Sequence, residues 1–182
     1  MSKSVVNVAV IGVGLVGKEF LNQLGTVASN YSPNKTIRLV YVSNSTQSIY
    51  NFENGIRLDA WAGILSQSSG PSVSPSDLPE RLKQDRNTSN SPREITVMVD
   101  NTSSDKIAAL YPSFLRNGID VITPNKKAYS SSLTLYDDII TASSGPGGGR
   151  FLNESTVGAG LPIISTLKDL VATGDEVSRT FI

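Results

Sequence analysis

The sequence predicts an α/β fold: a doubly wound, mostly parallel sheet with helices on both faces. Three observations predict it. Short β-branched runs alternate with segments of helical period along most of the 182 residues, the rhythm of a parallel sheet with crossover helices. Several of those runs are almost wholly apolar rather than alternating, as strands buried on two faces are. The first run ends directly in a glycine-rich turn that opens a helix.

In order, Val5, Val6, Val8, Val10 and Ile11 form the first strand, ended by Gly12. A helical pattern starts near Gly14, with Val16, Phe20, Leu21 and Leu24 at helical spacing and Gly25 as its stop. Residues 26–36 are a polar loop containing Pro33, and Ile37–Val42 is a second strand ending at Ser43 and Asn44. Strand, helix, strand is one βαβ unit with a right-handed crossover. Leu58, Trp61, Ile64 and Leu65 predict a short helix. Residues 66–76, rich in Ser, Pro and Gly, predict a loop. Leu78–Lys83 reads as one or two helical turns and Gln84–Pro92 as a mobile polar stretch. The Ser/Pro/Gly stretches read as surface insertions rather than a domain boundary, because the α/β rhythm resumes after them. Ile95–Val99 is the next strand. Ile107, Ala108, Leu110, Tyr111, Phe114 and Leu115 then predict a helix closed by Asn117 and Gly118. Ile119–Ile122 is a strand, about Leu133–Ala142 a helix and Gly145–Gly149 a loop. A strand begins at Phe151 and Leu152, Gly158, Gly160 and Pro162 punctuate a turn, and Ile163–Ala172 is a helix capped by Gly174.

Sixteen basic and sixteen acidic residues give zero formal charge, which argues against a nucleic-acid or anionic-membrane partner. There is no cysteine and no histidine. Disulfides, thiol nucleophiles, Cys/His zinc sites and histidine bases are all removed at once. Chemistry falls to Lys, Asp, Glu, Tyr, Ser, Thr, backbone groups or a cofactor. The apolar opening is too short for a signal peptide, and no apolar stretch reaches membrane-spanning length. A cytoplasmic protein is expected.

Ligands of such sheets collect at the carboxyl ends of the strands, which directs attention to the segments after Ile11, Val99, Ile122 and Leu152. Gly12-Val13-Gly14-Leu15-Val16-Gly17 fits the G-x-G-x-x-G pattern of a Rossmann-type dinucleotide site. There the glycines permit the tight turn, the approach of a diphosphate and close helix–sheet packing, while the helix N-terminus attracts the negative charge. A tight structural turn is the alternative. NAD sites usually carry an acid at the end of the second strand for the ribose 2′-OH. Here that position is Val42-Ser43-Asn44-Ser45-Thr46, with no acid before Glu53 and Arg38 inside the strand. This favours NADP with NAD tolerated, unless the hydroxyls are plain loop residues. In Asp100-Asn101-Thr102-Ser103-Ser104 one residue serves as a helix N-cap; the run can also line ribose and nicotinamide. Thr123-Pro124-Asn125-Lys126-Lys127 is either a solvated loop or a cation set over cofactor and substrate. Asn153 to Pro162 is either a plain strand-to-helix turn or a place where backbone approaches a ligand and carbonyls hold a hard cation. Tyr31-Ser32-Pro33-Asn34-Lys35 matches Y-x-x-x-K by coincidence, since Pro33 keeps the pair off one helix face.

With these segments in this order the chain resembles the homoserine dehydrogenases, fungal type. The matching stretches are VVNVAVIGVGLVG, VDNTSS, NGI with TPNKKA, and ESTVGAGLPIIS followed by TGDEV; the loops from about Asn44 to Arg93 diverge. The resemblance implies NAD(P)-dependent interconversion of L-homoserine and L-aspartate 4-semialdehyde, in the biosynthesis of threonine, methionine and isoleucine. It implies that Gly12, Val13, Gly14, Leu15, Val16 and Gly17 hold the diphosphate, that Asn101, Thr102 and Ser103 line the cofactor, and that Lys126 lies near nicotinamide and substrate. Backbone around Glu154, Val157, Ala159 and Leu161 would hold a structural sodium ion, and the family is homodimeric. Residues 1–153 would be the dinucleotide-binding domain and 154–182 the start of a truncated substrate and dimerisation region. Family members are about twice as long, the proton-donating lysine is expected beyond Ile182, and Ser178–Ile182 depart from the family's continuation. Nucleotide binding with little or no turnover is therefore expected of this chain. The alternative is a non-catalytic NAD(P)-binding fragment that pairs with or modulates a full-length enzyme. Aspartate-semialdehyde dehydrogenase, a second rival, needs a cysteine nucleophile that the chain lacks.

Overall fold

A computed structural model of the chain describes residues 4–30, 35–89 and 94–176. Strands β1 (Ser4–Ile11), β2 (Lys35–Ser43), β3 (Ser48–Tyr50), β4 (Glu94–Asp100), β5 (Asp120–Ile122) and β6 (Phe151–Leu152) form one sheet, in the order β3-β2-β1-β4-β5-β6. All neighbours pair in parallel except β2 with β3. The helices are α1 (Leu15–Asn30), α2 (Trp61–Ser66), α3 (Leu78–Thr88), α4 (Asp105–Ala108), α5 (Tyr111–Arg116), α6 (Lys127–Ser130), α7 (Leu133–Ser144) and α8 (Ile163–Ala172). Among the described residues no helix is long and apolar enough to cross a membrane.

The period-two alternation of β1 explains the two cores. Val8 and Val10 point to one face, where Leu21 of α1 and Trp61 and Leu65 of α2 cover them. Ala9 and Ile11 point to the other, under Leu78 and Leu82 of α3, Phe114 and Leu115 of α5 and Ile139 of α7. Helices lie on both faces, as the apolar strands predict.

Several boundaries differ from the sequence expectation. Helix α1 runs through Gly25 to Asn30, so the first part of the predicted loop is helical. An interior glycine costs only about 1 kcal/mol. Here it also brings the helix close to the next segment, since a Cβ on Gly25 would lie 3.9 Å from Leu58 Cβ. The hydroxyls of Thr26 and Ser29 bond back to the carbonyls of Asn22 and Gly25 and are satisfied within the helix. Tyr31–Asn34 lie outside the described residues. Strand β3 was not expected from its three residues; Ser48 Oγ accepts the amides of Ser72 and Val73 and so holds the edge.

Helix α3 continues to Thr88 across part of the stretch expected to be mobile. Asp85 accepts bonds from the Tyr50 hydroxyl (2.6 Å) and Arg81 (2.9 Å). Arg86 donates to the carbonyls of Asn117 and Gly118, each at 2.8 Å. Residues 90–93 lie outside the described set. The helix expected over 107–115 is two pieces, α4 and α5. Pro112 has no N–H to donate and is tolerated only in a first turn, so α5 starts one residue before it. Helix α6 was also unexpected. Helix α8 buries none of its residues.

Candidate coenzyme site

The strand ends singled out above lie side by side. Ile11 is in register with Asp100, Val99 with Ile122, and Ile122 with Leu152, so the four following segments form one row along the carboxyl edge of the sheet.

At the start of the row the three glycines have different reasons to be glycine. Gly12 sits at φ +89°, and a Cβ there would meet Thr102 Cγ2 at 2.6 Å. A Cβ on Gly17 would fall 2.0 Å from the Gly12 carbonyl oxygen. The fold itself requires these two. A Cβ on Gly14 would meet nothing within 4 Å, so packing does not explain that glycine. The Gly14 carbonyl accepts from Lys18 N at 2.9 Å; the amides of Leu15, Val16 and Gly17 precede this bond and have no intrahelical acceptor. Leu15 and Val16 are 90% and 60% exposed, and α1 carries no acid in its first turn. The positive end of the helix is therefore open to an anion.

Asn101 and Thr102 lie directly beneath this turn. Asn101 N extends the sheet by donating to the Ile11 carbonyl (2.9 Å), while Asn101 Nδ2 is buried without a partner. Ser103 is exposed. Ser104 supplies the helix cap that the sequence allowed for one of the five, accepting from Ile107 N. Asp100, fully buried, belongs to an internal network instead. It accepts from Thr102 N (2.7 Å), the Tyr111 hydroxyl (2.5 Å) and Asn125 Nδ2 (3.0 Å). Burial, and then the charge and hydrogen bond of Asp100, push the Tyr111 hydroxyl far above the ordinary phenol range.

The next loop separates its two lysines. Lys127 pairs with Asp105 at 3.5 Å. Lys126 is exposed and lines a cavity of about 920 Å³ between α6–α7 on one side and α8 with the segment leading into it on the other. Tyr129, Leu133, Tyr136, Asn153 and Lys168 line it as well. Burial and neighbouring Tyr136 raise the Tyr129 hydroxyl, so it stays neutral and can donate. Asn153 Nδ2 is another buried amide without a partner. In the final segment Gly158 and Ala159 both adopt left-handed backbone, at φ +67° and +54°. The carboxylate of Glu154 accepts the amides of Ile164 (2.8 Å) and Ser165 (3.0 Å) and so caps the N-terminus of α8.

At the far side of the glycine turn, the end of β2 carries no carboxylate. Asn44 Oδ1 accepts the amides of Thr46 and Gln47, leaving Ser45 and Thr46 exposed. Arg38 is engaged elsewhere, with Asn7 (2.8 Å) and Glu94 (2.6 Å).

Gly12–Gly17, Asn101–Ser103 and Lys126 thus share one edge in the predicted order. Sequence reasoning missed Tyr111, Thr123 and Asn125 as polar partners of Asp100, and the side-chain role of Glu154. A tyrosine among the apolar positions of a helix was the available signal, because a buried phenol needs a partner.

Residues 12–149 match the family model of the homoserine dehydrogenase NAD-binding domain. The chain belongs to the homoserine dehydrogenase family. It is 41% identical to the homoserine dehydrogenase of Schizosaccharomyces pombe over 98% of its own length and 46% of that protein's. The Saccharomyces cerevisiae homoserine dehydrogenase is 40% identical over 98% and 47%. The chain thus spans about half the length of the curated relatives it matches. Among solved structures, a Candida auris protein of unknown function superposes with a TM-score of 0.78 at 37% identity, over 96% of this chain and 46% of that one. A hyperthermophilic archaeal homoserine dehydrogenase mutant in complex with NADPH gives 0.68 at 23% identity, over 92% and 50%, a likeness of fold. The fold class and the NAD-binding identity expected from the sequence both stand.

Proposed function

We propose that this chain is the coenzyme-binding part of a homoserine dehydrogenase, and that it takes NADP while tolerating NAD. The complete enzyme would interconvert L-homoserine and L-aspartate 4-semialdehyde. The observation that carries the reading is Gly14: the fold does not need it, yet it stands open at the positive end of α1, where a diphosphate oxygen would approach. The unpartnered Nδ2 of Asn101 suits a ribose or carboxamide oxygen, and Lys126 suits a carboxylate at the cavity. The nicotinamide, when bound, supplies or accepts the hydride. The chain's own residues bind and orient: Gly12 shapes the turn with its amide committed to the Ser43 carbonyl, amides of Val13 to Gly17 hold the diphosphate, Asn101 to Ser103 border the ribose, and Lys126 faces the substrate. The lack of a carboxylate after β2 supports NADP, as does the NADPH held by the archaeal protein of the same fold. Calorimetric titration tests this. NADPH is expected to bind at least as tightly as NADH. Failure of folded chain to bind either overturns the reading, and markedly tighter NADH overturns the NADP preference.

We infer further that residues 154–182 open the substrate and pairing region, which fits an α8 that buries no residue. A sodium ion on the carbonyls of Glu154, Val157, Ala159 and Leu161 is compatible with the left-handed turn at Gly158 and Ala159. The Glu154 carboxylate is committed to α8, but its carbonyl receives only a long 3.5 Å bond from Val157 N. Melting of the chain in sodium against a bulky organic cation tests this site; equal midpoints overturn it. The exposed Leu170 and Val171 of α8 favour a second reading, a fragment that pairs with full-length enzyme. Adding the chain to that enzyme and finding its rate unchanged overturns the second reading.

A further inference from the structure

The polar network behind the row of strand ends is larger than packing requires. Asp100, Tyr111 and Thr123 are fully buried, and Asn125 is 3% exposed. Asp100 uses both carboxylate oxygens, one for Thr102 N and the other for the Tyr111 hydroxyl and Asn125 Nδ2. Its backbone carbonyl accepts from Thr123 Oγ1 at 3.1 Å. Thr123 Oγ1 lies 2.9 Å from the Tyr111 hydroxyl and accepts Asn125 N at 2.9 Å. Asn125 then reaches both ways: its Nδ2 donates to the Ser104 carbonyl (3.1 Å) and its Oδ1 accepts Lys127 N (3.0 Å). A buried carboxylate with this many partners contributes little that an apolar cluster of equal volume could not. Its particular effect is to fix groups in register.

The groups it fixes are the two loops of the site. One end of the network holds the backbone of Thr102 and Ser104, on either side of Ser103 and next to Asn101. The other holds the residues flanking Lys126 on both sides. Lys127 Nζ reinforces the same joint by pairing with Asp105.

We propose that Asp100, Tyr111, Thr123 and Asn125 act as a positioning network that sets Lys126 against Asn101–Ser103, so that both loops meet the nicotinamide half of one coenzyme molecule. This rests on the coenzyme reading above. It adds a division of labour: the glycine turn grips the diphosphate alone, and the network governs only what lies beyond it.

The test compares whole and half ligands on the full chain. Thr123→Val and Tyr111→Phe each remove network hydroxyls while nearly preserving shape. In either variant NADPH affinity should fall about tenfold, the loss expected of one positioning bond. Affinity for adenosine 2′,5′-bisphosphate, which has no nicotinamide, should stay at the parent's value. Thr123→Ser, which keeps the hydroxyl, should restore NADPH binding, and the nicotinamide fluorescence of bound NADPH should follow the same pattern. One folded variant is enough to decide. Equal loss of both ligands, or no loss of NADPH, overturns the positioning role alone. A parent chain that binds neither ligand overturns the coenzyme reading and this proposal with it.

Discussion

Placing an alanine at Gly14 and, separately, at Gly17 separates ligand binding from folding within one six-residue turn. At Gly17 the added methyl would lie 2.0 Å from the Gly12 carbonyl oxygen and 3.0 Å from its carbon. Both atoms are backbone, held by the bond from Gly12 N to the Ser43 carbonyl, so neither can swing away. Overpacking of this severity costs about 3 kcal/mol, which for a chain of this size lowers the melting midpoint by roughly 6–12 °C. At Gly14 the methyl meets no protein atom within 4 Å. Alanine there removes freedom from the unfolded chain and stabilises by up to about 1 kcal/mol, so the midpoint holds or rises. The same methyl occupies space that the proposed diphosphate would enter. Losing one or two charge-assisted hydrogen bonds costs about 3 kcal/mol, a drop of roughly a hundredfold in NADPH affinity. Calorimetry measures both quantities on the same preparations. Gly14→Ala that binds NADPH as the parent does would refute the reasoning, and so would Gly17→Ala with an unchanged melting midpoint.

Arg38→Met should destabilise the fold by about 3 kcal/mol, because it leaves Glu94, whose side chain is 3% exposed, as a buried charge without its partner; an unaltered urea midpoint would contradict this. Glu154→Gln should cost α8 about 1 kcal/mol by removing the charge at its N-terminus, seen as lost helical circular dichroism on heating; identical curves would count against the cap. Burial first of all raises the hydroxyls of Tyr41, Tyr50, Tyr111 and Tyr129. The folded state therefore holds these protons more tightly than the unfolded one. Their contribution to stability is complete below the unfolded phenol value near about pH 10 and is lost as pH rises above it. Tyrosinate absorbance should climb together with the loss of secondary structure, and smooth ionisation of all tyrosines in folded protein would exclude the assignment.

The parts of the fold legible in the sequence are those that one segment specifies by itself. The runs at Val5–Ile11, Ile37–Val42 and Ile95–Val99 are apolar because both sheet faces are covered, and each became a strand. Breaks that depend on a single strong residue were legible in principle: Pro112 divides α4 from α5 because it cannot donate. Where the sequence misled, a distant partner overrode local preference. Gly25 stays helical against Leu58, and the polar end of α3 is held by carbonyls more than thirty residues away, through Arg86. Strand β3 is three residues long, and its edge is held by contacts with Ser72 and Val73 that no periodicity encodes.

The site divides the same way, and the division bears on what it binds. Gly12 to Gly17, Asn101–Ser103 and Lys126 were legible because each follows a recognisable strand. The Asp100–Asn125 bond spans 25 residues and was not. Polar groups at the opposite, amino edge of the sheet answer one another: Asn7 Nδ2 and Arg38 both donate to Glu94. What remains over there is an acceptor, Glu94 Oε2, with the Thr96 hydroxyl, which can donate or accept. At the carboxyl edge the Ser43 hydroxyl is left together with two side-chain amides, and the balance shifts to donors. Among the described residues, the buried side-chain amides without an acceptor are Asn101 Nδ2 and Asn153 Nδ2, in the same row as the first-turn amides of α1 and the exposed Lys126. A buried donor left unmet costs about 1–3 kcal/mol, and cations and helix N-termini add to the same surplus. An edge that carries such a surplus is completed by a molecule rich in acceptors and negative charge. A dinucleotide diphosphate laid along the row from Gly12 towards Asn153 supplies both.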